Sequence, residues 1–477
     1  MSSHPRVRQW SGVKLVPFVW VLIVGFILWN VPIPGGLTPQ TWRLFTIFVS
    51  TIVGIVTSPL PMGATALIGL VVAVTADVLS MDQALSKFSS PTVWLTVSAF
   101  LIARAFIKST LGDRLAYLFI ALLGKNYLGL GYGVVLTEFF LAPVIPSNTA
   151  RGGGITYPII QPLALNFQSQ PDASTRRRIG AYLIQVGYHA NVVTSAMFLT
   201  AMAGNPLMVE FAKSAGIDIT WMLWFQAAIV PGIISLICIP LILAFIYPPD
   251  LRDTPQAPEQ ARQRLKEMGS LNFAQGIMLG IFCFLITLWI LGEYIGVDAT
   301  TTALLGLSIL LLVGVLQWED ILNEKGAWNT LIWFSVLLTM AEYLDKFGMM
   351  KWLGGQAQIT VAFLPQTLAI AALLGFYFYI HYFFASITAH VSAFYATFLL
   401  VILASGLPPV ASALILAFFS CLSGCLTHYG SGSAAAFFGS RYVTVTEWWK
   451  NGFVMSLAHI VVWGVVGSVW WRYLGIL

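Results

Sequence analysis

Charge is what this chain has least of. Only 9% of its 477 residues are Asp, Glu, Lys or Arg, while 58% are hydrophobic and mean hydropathy is +0.83. A water-soluble domain carries about a quarter charged residues, so a soluble enzyme or binding module is excluded. Histidine is scarce, at 6 residues, and the four cysteines (Cys238, Cys283, Cys421, Cys425) all fall in apolar runs. Cys421 and Cys425 have no second Cys/His pair at zinc spacing to accompany them, so neither a metal site nor a cofactor is expected. Two enzyme signatures are also missing. No Gly-x-x-x-x-Gly-Lys-Ser/Thr loop occurs, Tyr429-Gly430-Ser431-Gly432 lacks the first glycine of a nucleophile turn, and Ser147 is followed by Asn148. The chain is not expected to be an enzyme.

Long apolar stretches, by contrast, recur along the whole length. Crossing ~30 Å of hydrocarbon takes ~20 residues, and eleven stretches qualify: 15–33, 42–58, 62–79, 92–107, 180–204, 221–247, 272–292, 300–316, 328–344, 407–427 and 452–474. Recurrence on this scale excludes a cleaved signal peptide or a single anchor. Two more stretches, 128–166 and 367–404, are too long for one crossing, and a polar triplet breaks each near its middle. They are expected to be re-entrant hairpins. The fold class is therefore all-α and polytopic.

The chain also repeats itself. Ala64-Thr65-Ala66-Leu67-Ile68-Gly69-Leu70 returns as Thr301-Thr302-Ala303-Leu304-Leu305-Gly306-Leu307, Thr92 has its counterpart in Thr330, and Ser147 in Ser386. Weakly similar halves in an apolar chain are the signature of a secondary transporter whose site lies between them. With the N-terminus inside, most of the 24 basic residues fall on cytoplasmic flanks, among them Arg6, Arg8, Lys14, Arg176, Arg177, Arg178, Arg252, Arg262 and Lys266. Five crossings separate residue 62 from residue 300, so the second copy enters from the opposite side and the repeat is inverted. The C-terminus is then periplasmic. The net charge of +5 reflects this topology and not nucleic-acid binding. The expected organisation is an N-terminal segment with the first crossing at 1–40, a first repeat at 41–247 with its hairpin at 128–166, a cytoplasmic linker at 248–270, and a second repeat at 271–477 with its hairpin at 367–404.

Irregular backbone at membrane depth is tolerated only where it is buried or lines a cavity, so the chemistry is sought where polar residues interrupt hydrocarbon. Four such places occur: Pro146 to Gly154, Thr200 to Pro206, Ala385 to His390 and Thr427 to Ser433. Ser147 and Ser386 suit the caps of half-helices whose free N–H groups face the centre. Two such N-termini with hydroxyl and amide donors make a site for an anion. The alternative is that these Ser and Thr residues only join helices. Matching positions in both repeats favour the site.

Ser147-Asn148-Thr149 and Ser386-Ile387-Thr388 resemble the paired hairpin tips of the divalent anion/sodium symporter family of dicarboxylate, tricarboxylate and sulfate carriers. Pro146 to Arg151 and Phe384 to His390 are most similar to its citrate/succinate, tartrate/succinate and plastid 2-oxoglutarate/malate exchangers. The resemblance covers essentially the whole chain. It implies a homodimer in a bacterial inner membrane, each protomer having a scaffold part and a transport part that moves as an elevator. It also implies small di- and tricarboxylate anions as substrates, bound by Ser147, Asn148, Thr149, Ser386, Ile387 and Thr388. Asn205-Pro206 and the segment with Thr427 and Gly430 would line the same cavity as unwound centres of two broken helices.

Departures from the sodium-coupled pattern matter as much. Ile387 stands where a sodium-coupled member has Asn, and Pro143 precedes Ser147 by one turn where such members often carry a hydroxyl. Oxygen ligands for a hard cation are lost at both. Arg151 and His390 each lie four residues after the capping serine, and by the resemblance they supply positive charge in place of sodium. A fixed charge would make return of the empty carrier slow, which gives sodium-independent exchange. Sodium-coupled symport of the same anions is the alternative, since Ser147-Asn148-Thr149 is intact. For Arg151 the competing role is a structural pair with Glu138. For His390 it is a neutral imidazole bonded to a carbonyl, whereas partial protonation would make transport pH-sensitive.

Overall fold

A computed structural model of the chain describes residues 12–172, 174–361 and 365–477. Arg6 and Arg8 lie outside the described residues. Helices make up the architecture, and among the described residues the only bridge is an isolated one between Asn126 and Asp253. Among the described residues, eight helices are long and apolar enough to cross a membrane, and four shorter apolar ones, Leu15–Asn30, Met62–Thr75, Tyr127–Leu141 and Ala299–Leu312, accompany them.

The repeat is written in the order of elements. Met62–Thr75, Met81–Leu85 and Pro91–Ser109 are followed by Leu111–Leu123 and a hairpin; Ala299–Leu312, Trp318–Leu322 and Lys325–Lys346 are followed by Met349–Val361 and a second hairpin. The repeated sequence patch has a packing reason. A methyl group on Gly69 would sit 2.2 Å from Thr51 Oγ1, and one on Gly306 would sit 2.9 Å from Leu285 Cδ2. Each glycine therefore lets its helix lie directly against the one before it, as small residues do between membrane helices.

The described residues divide into two compact units: those of 12–88 with 332–349, and those of 89–331 with 350–477. In the smaller, Trp42 Nε1 donates to Leu28 O at 2.9 Å, Thr41 Oγ1 to Phe347 O at 2.8 Å, and Lys87 pairs with Glu342 at 2.8 Å. In the larger, the helix Gly180–Met197 is buried at every position. It is the post on which the first hairpin is built.

Several expected crossings are shorter or broken in the structure. The stretch 180–204 stops at Met197 because Phe198 turns extended, and a helix restarts at Gly204. The stretch 407–427 ends as the helix Pro409–Leu422 and a 3-10 turn, Ser423–Leu426. The linker 248–270 holds a polar helix, Gln256–Glu267, packed on Leu111–Leu123.

Candidate functional site

The first hairpin descends as Tyr127–Leu141. Pro143 and Pro146 then withhold N–H groups and stop the helix. Ser147 is extended (φ −128°, ψ 107°), and its Oγ accepts from Ala150 N at 3.1 Å. The return arm starts as Asn148–Arg151, widens to a π turn at Gly152–Thr156, and continues as Tyr157–Asn166. Pro158 cannot donate to the carbonyl one turn back, which suits the wider turn.

The second hairpin copies this plan. Gln366–Tyr379 and a 3-10 turn lead to Ser386 (φ −156°, ψ 131°), whose Oγ accepts from Ala389 N at 3.4 Å. Ile387–His390 follows, then a π turn at Val391–Tyr395 and the helix Ala396–Ala404. The two π turns hold the same place after the two capping serines.

Both tips border one cavity of about 320 Å³. Ser147, Asn148, Thr149, Ser386, Ile387 and Thr388 line it, as do Met202 and Ala203 from the first broken helix and Ser431 and Gly432 from the second. Four helices begin at this cavity: Asn148–Arg151, Gly204–Ser214, Ile387–His390 and Gly432–Phe438. Helix starts present unpaired N–H groups and partial positive charge. Among the described residues, the amides of Asn148, Ile387 and Thr388 have no partner, and no charged side chain lines the space. Donors placed in this way can hold an anion with several acceptor oxygens.

Arg151 lies one turn behind the first tip and lines no part of this cavity. Its side chain is wholly buried. Nε donates to Glu138 Oε2 at 2.9 Å, Nη1 to Ile145 O at 2.8 Å and Ala201 O at 2.9 Å, and Nη2 to Ser195 Oγ at 2.9 Å and Thr194 Oγ1 at 3.4 Å. All five donors are used. Glu138 is satisfied in turn by Thr156 Oγ1 at 2.5 Å and Asn191 Nδ2 at 3.0 Å. Asn191 also donates to Asn148 O at 3.0 Å. The network therefore ties both hairpin arms to the central helix and fixes the height of the tip.

His390 is the counterpart and is likewise buried. Its Nδ1 meets His381 Nδ1 at 3.1 Å, and His381 Nε2 meets Gly430 O at 3.0 Å. A carbonyl only accepts, so His381 carries its proton on Nε2 and, in a neutral pair, His390 donates from Nδ1. The partner of His390 is an imidazole rather than a carbonyl.

Asn205 and Pro206 do not line the cavity. Asn205 is buried, with Nδ2 donating to Ser195 O at 2.8 Å and Phe198 O at 3.0 Å, while Oδ1 accepts from Cys421 Sγ at 3.1 Å. It stitches the broken helix together. Thr427 and Gly430 are buried behind the wall, which Ser431 and Gly432 form instead. The sequence held a signal for this, since Ser431 caps the helix Gly432–Phe438 by accepting from Ala434 N at 3.1 Å. Phe100 also reaches the cavity, and an apolar position within an apolar helix gives no signal. His428 is a packing residue whose Nδ1 accepts from Trp449 Nε1 at 3.1 Å. Among the described residues, no group of three His, Cys, Asp or Glu could hold a metal ion.

The family model described as the sodium:sulfate symporter transmembrane region matches residues 12–477. The chain is 48% identical over its whole length, and over the whole length of the relative, to YflS of Bacillus subtilis (strain 168), whose name provisionally assigns it malate. It is 43% identical to dicarboxylate transporter 1, chloroplastic, of Spinacia oleracea, covering 99% of this chain and 83% of that one. It is 33% identical to the L-tartrate/succinate antiporter of Escherichia coli O6:K15:H31, covering 98% of each. The crystal structure of the Alcanivorax borkumensis YdaH transporter shares the fold, with a TM-score of 0.57 and 12% identity over 96% of this chain and 98% of that one.

Proposed function

The chain belongs to the divalent anion/sodium symporter family, and on that premise we propose that this multi-pass membrane protein exchanges dicarboxylate or tricarboxylate anions across a bacterial inner membrane without sodium. The observation that carries the reading is the meeting of the two hairpin tips at one cavity of about 320 Å³. The anion is held by the unpaired amides of Asn148, Ile387 and Thr388 and by the hydroxyls of Ser147, Thr149, Ser386 and Thr388. Ser431 and Gly432 complete the wall. Succinate, malate and 2-oxoglutarate carry carboxylates at two ends, which suits donors arriving from two tips. The relatives' names, dicarboxylate transporter and tartrate/succinate antiporter, support the substrate class and exchange.

Exchange follows from electrostatics. An empty cavity leaves helix N-termini and bare N–H groups facing each other at membrane depth, which costs free energy that a bound anion offsets. Arg151 and His390 stand behind the tips and fix the tip geometry; the charge of Arg151 is balanced by Glu138 and His390 is neutral in its pair with His381, so the tip amides and hydroxyls are the groups left to meet the anion. Sodium has little to bind, because no carboxylate lines the cavity and the Pro143 carbonyl already accepts from Thr200 Oγ1 at 2.6 Å. We further read the repeat as inverted, with the N-terminus cytoplasmic and the C-terminus periplasmic, the protein as a homodimer, and the movement as an elevator.

The test is uptake of radiolabelled succinate, malate, 2-oxoglutarate and citrate into proteoliposomes, preloaded with unlabelled dicarboxylate or empty, in sodium or potassium buffer. Uptake only into preloaded vesicles, equal in both buffers, is expected. Sodium-driven uptake into empty vesicles would establish symport instead, the reading favoured by the intact Ser147-Asn148-Thr149.

A further inference from the structure

We propose that a basic groove between Lys125 and the helix Gln256–Glu267 binds the headgroup of an anionic phospholipid. The groove has a volume of about 430 Å³ and is bordered by Lys125, Arg262 and Lys266, with one carboxylate, Glu259. Among the described residues, neither lysine ammonium has an ion pair or a hydrogen bond, and Arg262 uses one donor, Nη2 to Ala121 O at 3.4 Å. Three exposed cations against one anion leave an excess of positive charge that a lipid phosphate would partly offset.

The backbone holds these cations in place. Thr254 N donates to Lys125 O at 2.9 Å, Thr254 Oγ1 to Gly124 O at 2.8 Å, and Tyr127 N to Arg252 O at 3.0 Å. Pro255 and Pro258 stiffen the floor of the groove. The linker is thus sewn to the segment just before the first hairpin, and the groove is a fixed notch.

An apolar stripe argues for a lipid over a free anion. Leu118 and Leu122, one helical turn apart, are 42% and 64% exposed, and Leu123 is 38% exposed. They lie on the helix Leu111–Leu123, whose Ala121 carbonyl Arg262 contacts. Leu123 stands two residues before Lys125, so the acyl chains of a lipid whose phosphate sits in the groove would run toward these leucines, as an interfacial lipid requires.

The experiment is native mass spectrometry of the full-length protein with added phosphatidylglycerol or phosphatidylcholine. Phosphatidylglycerol adducts are expected to exceed phosphatidylcholine adducts. Lys125→Ala with Lys266→Ala is expected to weaken phosphatidylglycerol binding by about five-fold per cation removed, Lys125→Arg with Lys266→Arg to restore it, and Arg472→Ala to leave it unchanged. Unaltered adducts in the double alanine variant would overturn the proposal. So would equal binding of both lipids, or displacement of the lipid by inorganic phosphate alone, which would make the groove a free-anion site.

Discussion

Glu138 and Arg151 meet Oε2 to Nε at 2.9 Å with neither side chain exposed at all. Each is the other's compensation, since a buried ion left alone costs about 3–5 kcal/mol while an intact pair can be replaced by apolar groups at little cost. Glu138→Ala and Arg151→Ala are therefore each expected to lower the melting temperature sharply in detergent. Glu138→Leu combined with Arg151→Met should recover most of that loss. If the double variant instead melts at the sum of the two single losses, the pair is not coupled and the network has been misjudged.

Ser147 and Thr388 separate a cap from a free donor. Ser147 Oγ accepts from Ala150 N and so caps the tip while keeping its proton for a ligand, whereas Thr388 Oγ1 has no partner among the described residues and borders the cavity. Thr388→Val keeps the shape and removes the hydroxyl, so the KM for transport is expected to rise about five- to ten-fold, the worth of one hydrogen bond, with the melting temperature unchanged. Ser147→Ala should weaken transport and also destabilise the tip by about 1 kcal/mol. Transport assays paired with melting curves check both, and an unchanged KM in Thr388→Val would remove that hydroxyl from the site.

Asp298 gives a pH dependence outside the membrane-spanning segments. The Thr301 hydroxyl bonds its Oδ2 at 2.5 Å, and the amides of Thr300 and Thr301 bond Oδ1 at 2.9 and 3.0 Å. These bonds, led by the hydroxyl, hold its carboxyl below the usual 3.8. A lowered carboxyl stabilises the fold fully above its unfolded value, and the gain is lost as pH falls through the folded one. Asp298→Ala should cost about 1 kcal/mol near neutrality. Asp298→Asn keeps an acceptor, so its melting temperature should fall less steeply than that of the native protein across about pH 5 to 3.

The hairpins and their tips were legible because polar triplets inside long apolar runs have few physical explanations, and the repeat supplied each twice. The walls between them were not. Asn205 and Thr427 are polar residues at the right depth, but Asn205 is spent on the carbonyls of Ser195 and Phe198, and Thr427 is buried behind Ser431. Polarity marks where backbone is irregular without telling whether the side chain serves that backbone or a ligand. Met202 and Ala203 reach the cavity only because the helix breaks beside them. Arg151 announced itself as a charge in hydrocarbon, yet its partners Thr194 and Ser195 lie on another helix, 43 and 44 residues away.

Gly432 faces Thr149 across the cavity wall so closely that a methyl group on it would sit 2.2 Å from Thr149 Oγ1. Something must then move, and Gly432→Ala is expected to push the first tip away from the second broken helix at a cost of about 1–3 kcal/mol. If the tip hydroxyl and amides hold the anion, that displacement should raise the transport KM about ten-fold or more, because misplaced donors no longer converge. Thr149→Ala removes the obstructing oxygen and costs a hydroxyl of its own. Combining it with Gly432→Ala should therefore give a smaller loss than the two singles multiplied together. Multiplicative losses would mean that the two residues act independently and that the close approach has no part in holding the site. A Gly432→Ala protein with native KM would go further, and would place the anion away from this wall altogether.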